Sequence, residues 1–254
     1  VMIKQIFLAA SMVSFILACN TKKQEKTTSA NDESSVGFIL KSPAQTGVHF
    51  SNILTEDDQI NYLNNEAVYH GAGVGVLDIN NDGKMDLFFA SNQGDNKLYL
   101  NQGNFKFEDI TSSAGVAGGA EWAGGVSIVD LNADGWDDIY ISCHLSAEES
   151  LRKNKLYINQ KNNTFIESAE KYGLADASRS IHAVFFDYDL DNDLDAFILN
   201  QPPSDYQSRN NIIAPDLKFS NHFYINESEQ FVDKTAELGL IQSGYCLSAS
   251  VSDY

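Results

Sequence analysis

From residue 67 to residue 254 the chain alternates short apolar runs with polar stretches rich in Asp, Asn and Gly. The runs favour β-branched and aromatic residues, several alternate apolar with polar positions, and Asn, Asp and Gly separate them. That pattern predicts strands and tight turns rather than helices. In the first such stretch the predicted strands are roughly Gly73–Asp78, Asp86–Ser91, Lys97–Asn101 and Phe105–Ile110.

The same order of blocks then recurs. GVGVLDINNDGKMDLFFA from Gly73 returns as GVSIVDLNADGWDDIYIS from Gly125 and as AVFFDYDLDNDLDAFILN from Ala183. Each is followed by a second block, NKLYLNQ, NKLYINQ or NHFYINE. Each unit closes on a third block, FEDITSSAGV, FIESAEKYGL or FVDKTAELGL. A further unit opens at LSASVSDY, where Asp253 takes the place of Asp78, Asp130 and Asp187. Tandem units of four short strands, about 50–60 residues each, predict an all-β fold of β-propeller blades. A β-sandwich would not repeat one loop at one place. The sequence stops inside the fourth unit's motif, so the expectation is an N-terminal piece of a longer protein, or a truncated gene product, with three blades and the start of a fourth.

The loop between the first two strands of each unit follows one nine-position template. Positions 1, 3, 5, 7 and 9 are Asp78, Asn80, Asp82, Lys84 and Asp86 in the first loop. They are Asp130, Asn132, Asp134, Trp136 and Asp138 in the second, and Asp187, Asp189, Asp191, Asp193 and Asp195 in the third. Positions 1, 3, 5 and 9 carry oxygen side chains in every copy. Alternate residues of a tight loop converge on one point, and carboxylates held there repel one another unless a cation joins them. Hard cations such as Ca²⁺ take six to eight oxygens; Mg²⁺ retains more water and fits less well. Position 7 is chemically indifferent (Lys84, Trp136, Asp193), which suggests that it offers its backbone carbonyl. Position 6 is Gly83, Gly135 or Asn192, as a turn with positive φ requires. The helix–loop–helix calcium site is excluded, because position 12 is Phe89, Ile141 or Ile198 where that site needs Glu. Solvated Asx turns without metal are the competing reading of a single loop; three loops in register argue against it.

The pattern D-x-[DN]-x-D-[GN]-x-x-D between apolar strands resembles the FG-GAP/VCBS repeat, which builds the calcium-binding propeller of integrin α chains. The longer string from the Gly-rich strand through NKLYLNQGNFKFEDITSSAGV is similar to the bacterial ASPIC/UnbV and cartilage-acidic-protein group. The resemblance covers about residues 67–254. It implies calcium at Asp78, Asn80, Asp82 and Asp86 and at their equivalents: three complete sites and a truncated fourth at Asp253. It also implies about seven blades in the full protein, with Gly47–Asn52 as a possible outer strand closing the last blade.

Residues 1–18 read as an export signal. Lys4 precedes an uncharged apolar run from Ile6 to Ala18, too short to span a bilayer. The ending Ile16-Leu17-Ala18-Cys19 resembles a bacterial lipobox and implies lipidation of Cys19; an ordinary signal peptide that happens to hold a Cys is the alternative. Residues 19–36 read as a polar flexible tether and 37–66 as an N-terminal segment before the repeats. The expected location is exported, lipid-anchored to a bacterial membrane, periplasmic or at the cell surface.

Charge then sharpens the picture. The chain has 35 Asp+Glu against 17 Lys+Arg, a formal net charge of −18. That field disfavours nucleic acid as a partner. Twelve of the 35 acids lie in the three loops, so much of the excess is metal-site charge. The five His form no two-His zinc spacing, and neither H-E-x-x-H nor G-x-S-x-G occurs. Cys143 and Cys246 lie in units that are not neighbours and read as free thiols, with a disulfide as the alternative that an exported location permits. No catalytic residue is identified. The expected function is calcium-stabilised, non-catalytic binding of a protein or glycan, with membrane contact through the lipid only. Two alternatives stand beside it: the propeller part of a polysaccharide-acting enzyme whose catalytic region is missing, and a scaffold in an envelope complex. The link between second and third strands grows along the chain, and the longest, residues 201–220, is either the leading partner-contact element or a passive insertion.

Overall fold

The structure, a computed structural model, describes residues 37–119, 121–146, 148–202 and 216–252. Cys19, Asp253 and most of the 201–220 link lie outside them. The chain divides into two units, Val1–Leu40 and Lys41–Tyr254. In the first, the described residues 37–40 have no regular structure.

The second unit holds three four-stranded antiparallel sheets, each built from strands consecutive in sequence. The first contains β1 (Val74–Leu77), β2 (Asp86–Phe89), β3 (Lys97–Asn101) and β4 (Phe107–Asp109). The second contains β5 (Ala123–Val129), β6 (Asp138–Cys143), β7 (Lys155–Asn159) and β8 (Phe165–Glu167). The third contains β9 (Ser180–Phe186), β10 (Asp195–Asn200), β11 (His222–Asn226) and β12 (Phe231–Asp233). Register is conserved: position 9 of the loop faces the end of the first strand in each sheet, as Leu77↔Asp86, Val129↔Asp138 and Phe186↔Asp195. These are three blades of the predicted kind, and the described residues do not close a ring.

Neighbouring blades share cores. Leu77, Phe88 and Leu98 of the first blade pack with Ile139, Ile141 and Tyr157 of the second. Tyr140, Leu156 and Ile158 of the second pack with Ala196, Ile198 and Tyr224 of the third. The inner strands approach closely because Gly stands between them. A Cβ on Gly73 would overlap the Val126 backbone, and one on Gly125 the Ile181 carbonyl. The Ser127 hydroxyl donates to the Ala183 carbonyl across the second gap at 2.6 Å.

Two features depart from the strand-only reading. The fourth strands of the first two blades run into single helical turns, α2 (Thr111–Ala114) and α3 (Ala169–Tyr172), which follow the earlier turn α1 (Pro43–Thr46). Gly115 and Gly173 end α2 and α3 with φ of 77°. The other departure is Gly47–Asn52, which forms no strand. Gly47 turns the chain out of α1 with φ of 85° and lies against the Phe107 carbonyl. The segment then covers the outer face of the first blade. Phe50 stacks on Phe89 at 4.9 Å, the His49 N–H donates to the Tyr99 hydroxyl at 3.1 Å, and the Asn92 N–H donates to Asn52 at 3.1 Å. Cys143 and Cys246 are free, and burial pushes the Cys143 thiol up to about 12.

Candidate metal centres

Each Asp-rich loop leaves the blade at the end of its first strand and returns at the start of its second. One hydrogen-bond scheme organises all three. The carboxylate at position 1 accepts from the N–H groups of positions 5 and 6. For Asp78 the donors are Asp82 (3.1 Å) and Gly83 (2.7 Å). For Asp130 they are Asp134 (2.9 Å) and Gly135 (2.8 Å). For Asp187 they are Asp191 (3.2 Å) and Asn192 (3.1 Å). Position 5 accepts from the N–H of position 7 at 2.9 Å for Asp82, 3.1 Å for Asp134 and 3.0 Å for Asp191. These bonds are those of an Asx-turn ladder, and they gather the side-chain oxygens on one side of the loop.

Position 9 has a second task. Asp86, Asp138 and Asp195 are each only 1% exposed. One oxygen of each accepts the N–H of position 2, from Ile79 (3.0 Å), Leu131 (3.1 Å) and Tyr188 (2.8 Å). The other accepts the N–H at the end of the third strand, from Asn101 (2.6 Å), Asn159 (2.8 Å) and Asn226 (3.0 Å). Position 9 thus pins the loop to its own sheet, which its presence in a ligand pattern did not reveal. Burial, reinforced by the other loop carboxylates, raises Asp86 above the ordinary range and Asp138 to about 6.

Position 6 has positive φ as expected, 80° at Gly83, 84° at Gly135 and 74° at Asn192. Position 4 has it too: 55° at Asn81, 52° at Ala133 and 64° at Leu190. Ala and Leu in this region are strained by about 1–2 kcal/mol. Nothing in Asn, Ala and Leu as a set advertises the turn.

The loops differ in charge. In the first, Lys84 Nζ lies 2.6 Å from Asp82 Oδ2, and this contact holds Asp82 below the usual carboxylate range. In the second, Lys161 Nζ lies 3.3 Å from Asp134 Oδ2. In the third, oxygens of Asp187, Asp189 and Asp195 all lie within 4.8 Å of one another, the one such acidic triplet among the described residues. Two ligands on one calcium can be at most about 5 Å apart, twice the 2.3–2.6 Å bond. Asp193 Oδ1 is buried there without a hydrogen-bond partner. Desolvation and then Asp191 and Asp195 push Asp193 up to about 6, and Asp189 is raised by desolvation and Asp191. All-oxygen donors, an orphaned oxygen and mutual repulsion fit a hard divalent cation.

The first two loops are also tied together. The Asp78 N–H donates to Asp137 at 2.9 Å and the Asn81 amide to the Gly135 carbonyl at 2.9 Å. The third loop has Leu194 in place of Asp137, and the second has Ala133 in place of Asn81, so this pair of links cannot recur between them.

Away from the loops, the structure brings together polar groups that spacing did not. His222 Nδ1 lies 2.6 Å from Asp176 Oδ2, and Nε2 lies 3.0 Å from the Leu217 carbonyl. Two acceptors on one ring call for an imidazolium, and His222 is pushed up to about 9 although burial opposes it. His144 is buried instead, its Nδ1 unpartnered, and desolvation lowers it to about 4. Arg152, Arg179 and Lys218 border one groove, but Arg152 donates to the Ala177 and Ser146 carbonyls and so braces local backbone.

With the geometry in hand, relatedness can be read. A family model for the FG-GAP-like repeat matches residues 78–141, which begin at the first loop and run into the sixth strand. Residues 78–141 are thus similar to the FG-GAP-like repeat. Cartilage acidic protein 1 of Xenopus tropicalis is 28% identical over 134 residues, 51% of this chain and 20% of that protein. Cartilage acidic protein 1 of Mus musculus is 41% identical over 69 residues, 27% of this chain and 11% of that protein. The chain therefore spans a fifth or less of the length of these relatives.

Proposed function

We propose that this protein is a calcium-stabilised, non-catalytic β-propeller lipoprotein that binds a protein or glycan at a bacterial envelope. The observation that carries the calcium part is the third loop, where three carboxylates converge beside a buried, unpartnered Asp193 oxygen. The residues that would hold the ion there are Asp187, Asp189, Asp191 and Asp195, with the backbone carbonyl of Asp193. Asp78, Asn80, Asp82 and Asp86 would do so in the first loop, with the Lys84 carbonyl. Asp130, Asn132, Asp134 and Asp138 would do so in the second, with the Trp136 carbonyl. Bound calcium would neutralise the carboxylates and fix each hairpin loop.

The binding part rests on the three blades and on the likeness to the FG-GAP-like repeat. The anchor rests on Cys19 and the apolar run before it. No helix among the described residues is long and apolar enough to cross a membrane. A net charge of −18 argues against nucleic acid as the ligand. Equilibrium dialysis of the whole chain against calcium should recover three ions per chain; a chain that retains none would remove the calcium part of the reading.

A further inference from the structure

The three loops share backbone geometry but not their resident charges. We propose that Lys84 is a built-in cation of the first loop, so that the loops form a ranked series in which the third binds calcium most tightly and the first most weakly. The inference rests on the calcium reading above and concerns how this chain's own residues divide the task.

Position 7 is the variable that sets the order. Its N–H donates to the carboxylate at position 5 in every loop, so its backbone is fixed whatever its side chain. In the first loop that side chain turns an ammonium onto Asp82, and Asp86 and Asp78 also act on it. A calcium ion entering there must first displace Lys84. In the second loop position 7 is Trp136, and the ammonium comes from Lys161 on the hairpin between β7 and β8, at the longer distance of 3.3 Å. In the third loop position 7 is Asp193, and the charges that act most on Asp189 and Asp193 are other carboxylates; Lys234 borders the same hollow but pairs with Glu227 and Glu237. The third loop also has Asp189 where the others have Asn80 and Asn132. No lysine forms an ion pair with its carboxylates among the described residues, while the first loop carries part of its own relief through Lys84.

Aromatic residues make the loops separately visible. Trp136 belongs to the second loop, and Tyr188, whose N–H donates to Asp195 at 2.8 Å, belongs to the third. Terbium(III), a luminescent calcium substitute, should be titrated into the whole chain with calcium in competition, with Tyr188→Phe identifying the tyrosine-sensitised signal. Emission through Tyr188 should saturate at roughly tenfold lower metal than emission through Trp136. Calorimetric calcium titration should then show the weakest site of Lys84→Gln strengthened about fivefold, the scale of one exposed ion pair. Asp193→Lys should bring the third loop down to the level of the first. Three equivalent sites, or a weakest site unmoved by Lys84→Gln, would overturn the ranking while leaving calcium binding intact. Absence of saturable binding of either metal would overturn the calcium reading itself, and the ranking with it.

Discussion

Asp138→Ala is expected to destabilise the protein by about 3–5 kcal/mol, whether or not calcium is present. The carboxylate holds two backbone donors, Leu131 N–H and Asn159 N–H, in a site that is 1% exposed. Removing it strands both, and a stranded buried donor costs about 1–3 kcal/mol. In a domain of this size each kcal/mol lowers Tm by roughly 2–4 °C. Asp134→Ala provides the contrast. Asp134 is more exposed, its hydrogen bonds lie within the loop, and its loss should be felt mainly as lost stabilisation by calcium. Thermal unfolding of both variants in chelator separates the two tasks. If Asp138→Ala matched wild type there, position 9 would be a metal ligand and no more.

The second large effect lies far from any loop. His222→Leu should cost about 3–5 kcal/mol near neutral pH, because it leaves the buried Asp176 carboxylate without its charged partner. The pair also has a pH signature. His222 titrates near 9 in the folded protein, above the ordinary value of 6.5. Its contribution is therefore fully present below about 6.5 and is lost as pH rises through 9. Asp176 is held low through its hydrogen bond to His222 against desolvation, so its contribution is present above 3.8 and lost as pH falls through its folded value. Asn200 and Tyr224 also donate to Asp176. Between pH 6 and pH 9.5 the wild type should lose about 3 kcal/mol in urea unfolding, at 1.36 kcal/mol per pKa unit. His222→Leu should lack that loss, keeping only the smaller opposing effects of the buried Cys143 and His144. Parallel curves for the two proteins would show that the pair does not stabilise the fold through charge.

These two cases mark what a single sequence reveals. The blades were legible because Val, Ile, Phe and Tyr alternate in register with repeated loops, and repetition turns a weak local signal into a strong one. The positive φ at Gly83, Gly135 and Asn192 was legible because so few residues suit it. The same φ at Asn81, Ala133 and Leu190 was not, since the loop's hydrogen bonds impose it on whatever stands there. His222 and Asp176 escaped notice because neither repeats: the equivalents of His222 are Lys97 and Lys155, and the equivalent of Asp176 in the first unit is Gly118. The partners are also 46 residues apart. Gly47–Asn52 alternates like a strand, but it lies as a cover on the first blade, anchored by Phe50 on Phe89. The ligand pattern marked position 9 as an oxygen donor and gave no hint that the same carboxylate ties the second and third strands together.

The claim that matters most is that the acidic loops hold calcium in the folded protein. Thermal unfolding of the whole chain, in excess calcium and in chelator at matched ionic strength, tests it directly. A ligand at a hundred times its Kd adds about 2.7 kcal/mol per site. Three sites should therefore raise Tm by roughly 15–30 °C at 2–4 °C per kcal/mol, with magnesium giving much less. Coincident transitions with calcium and with chelator would contradict it.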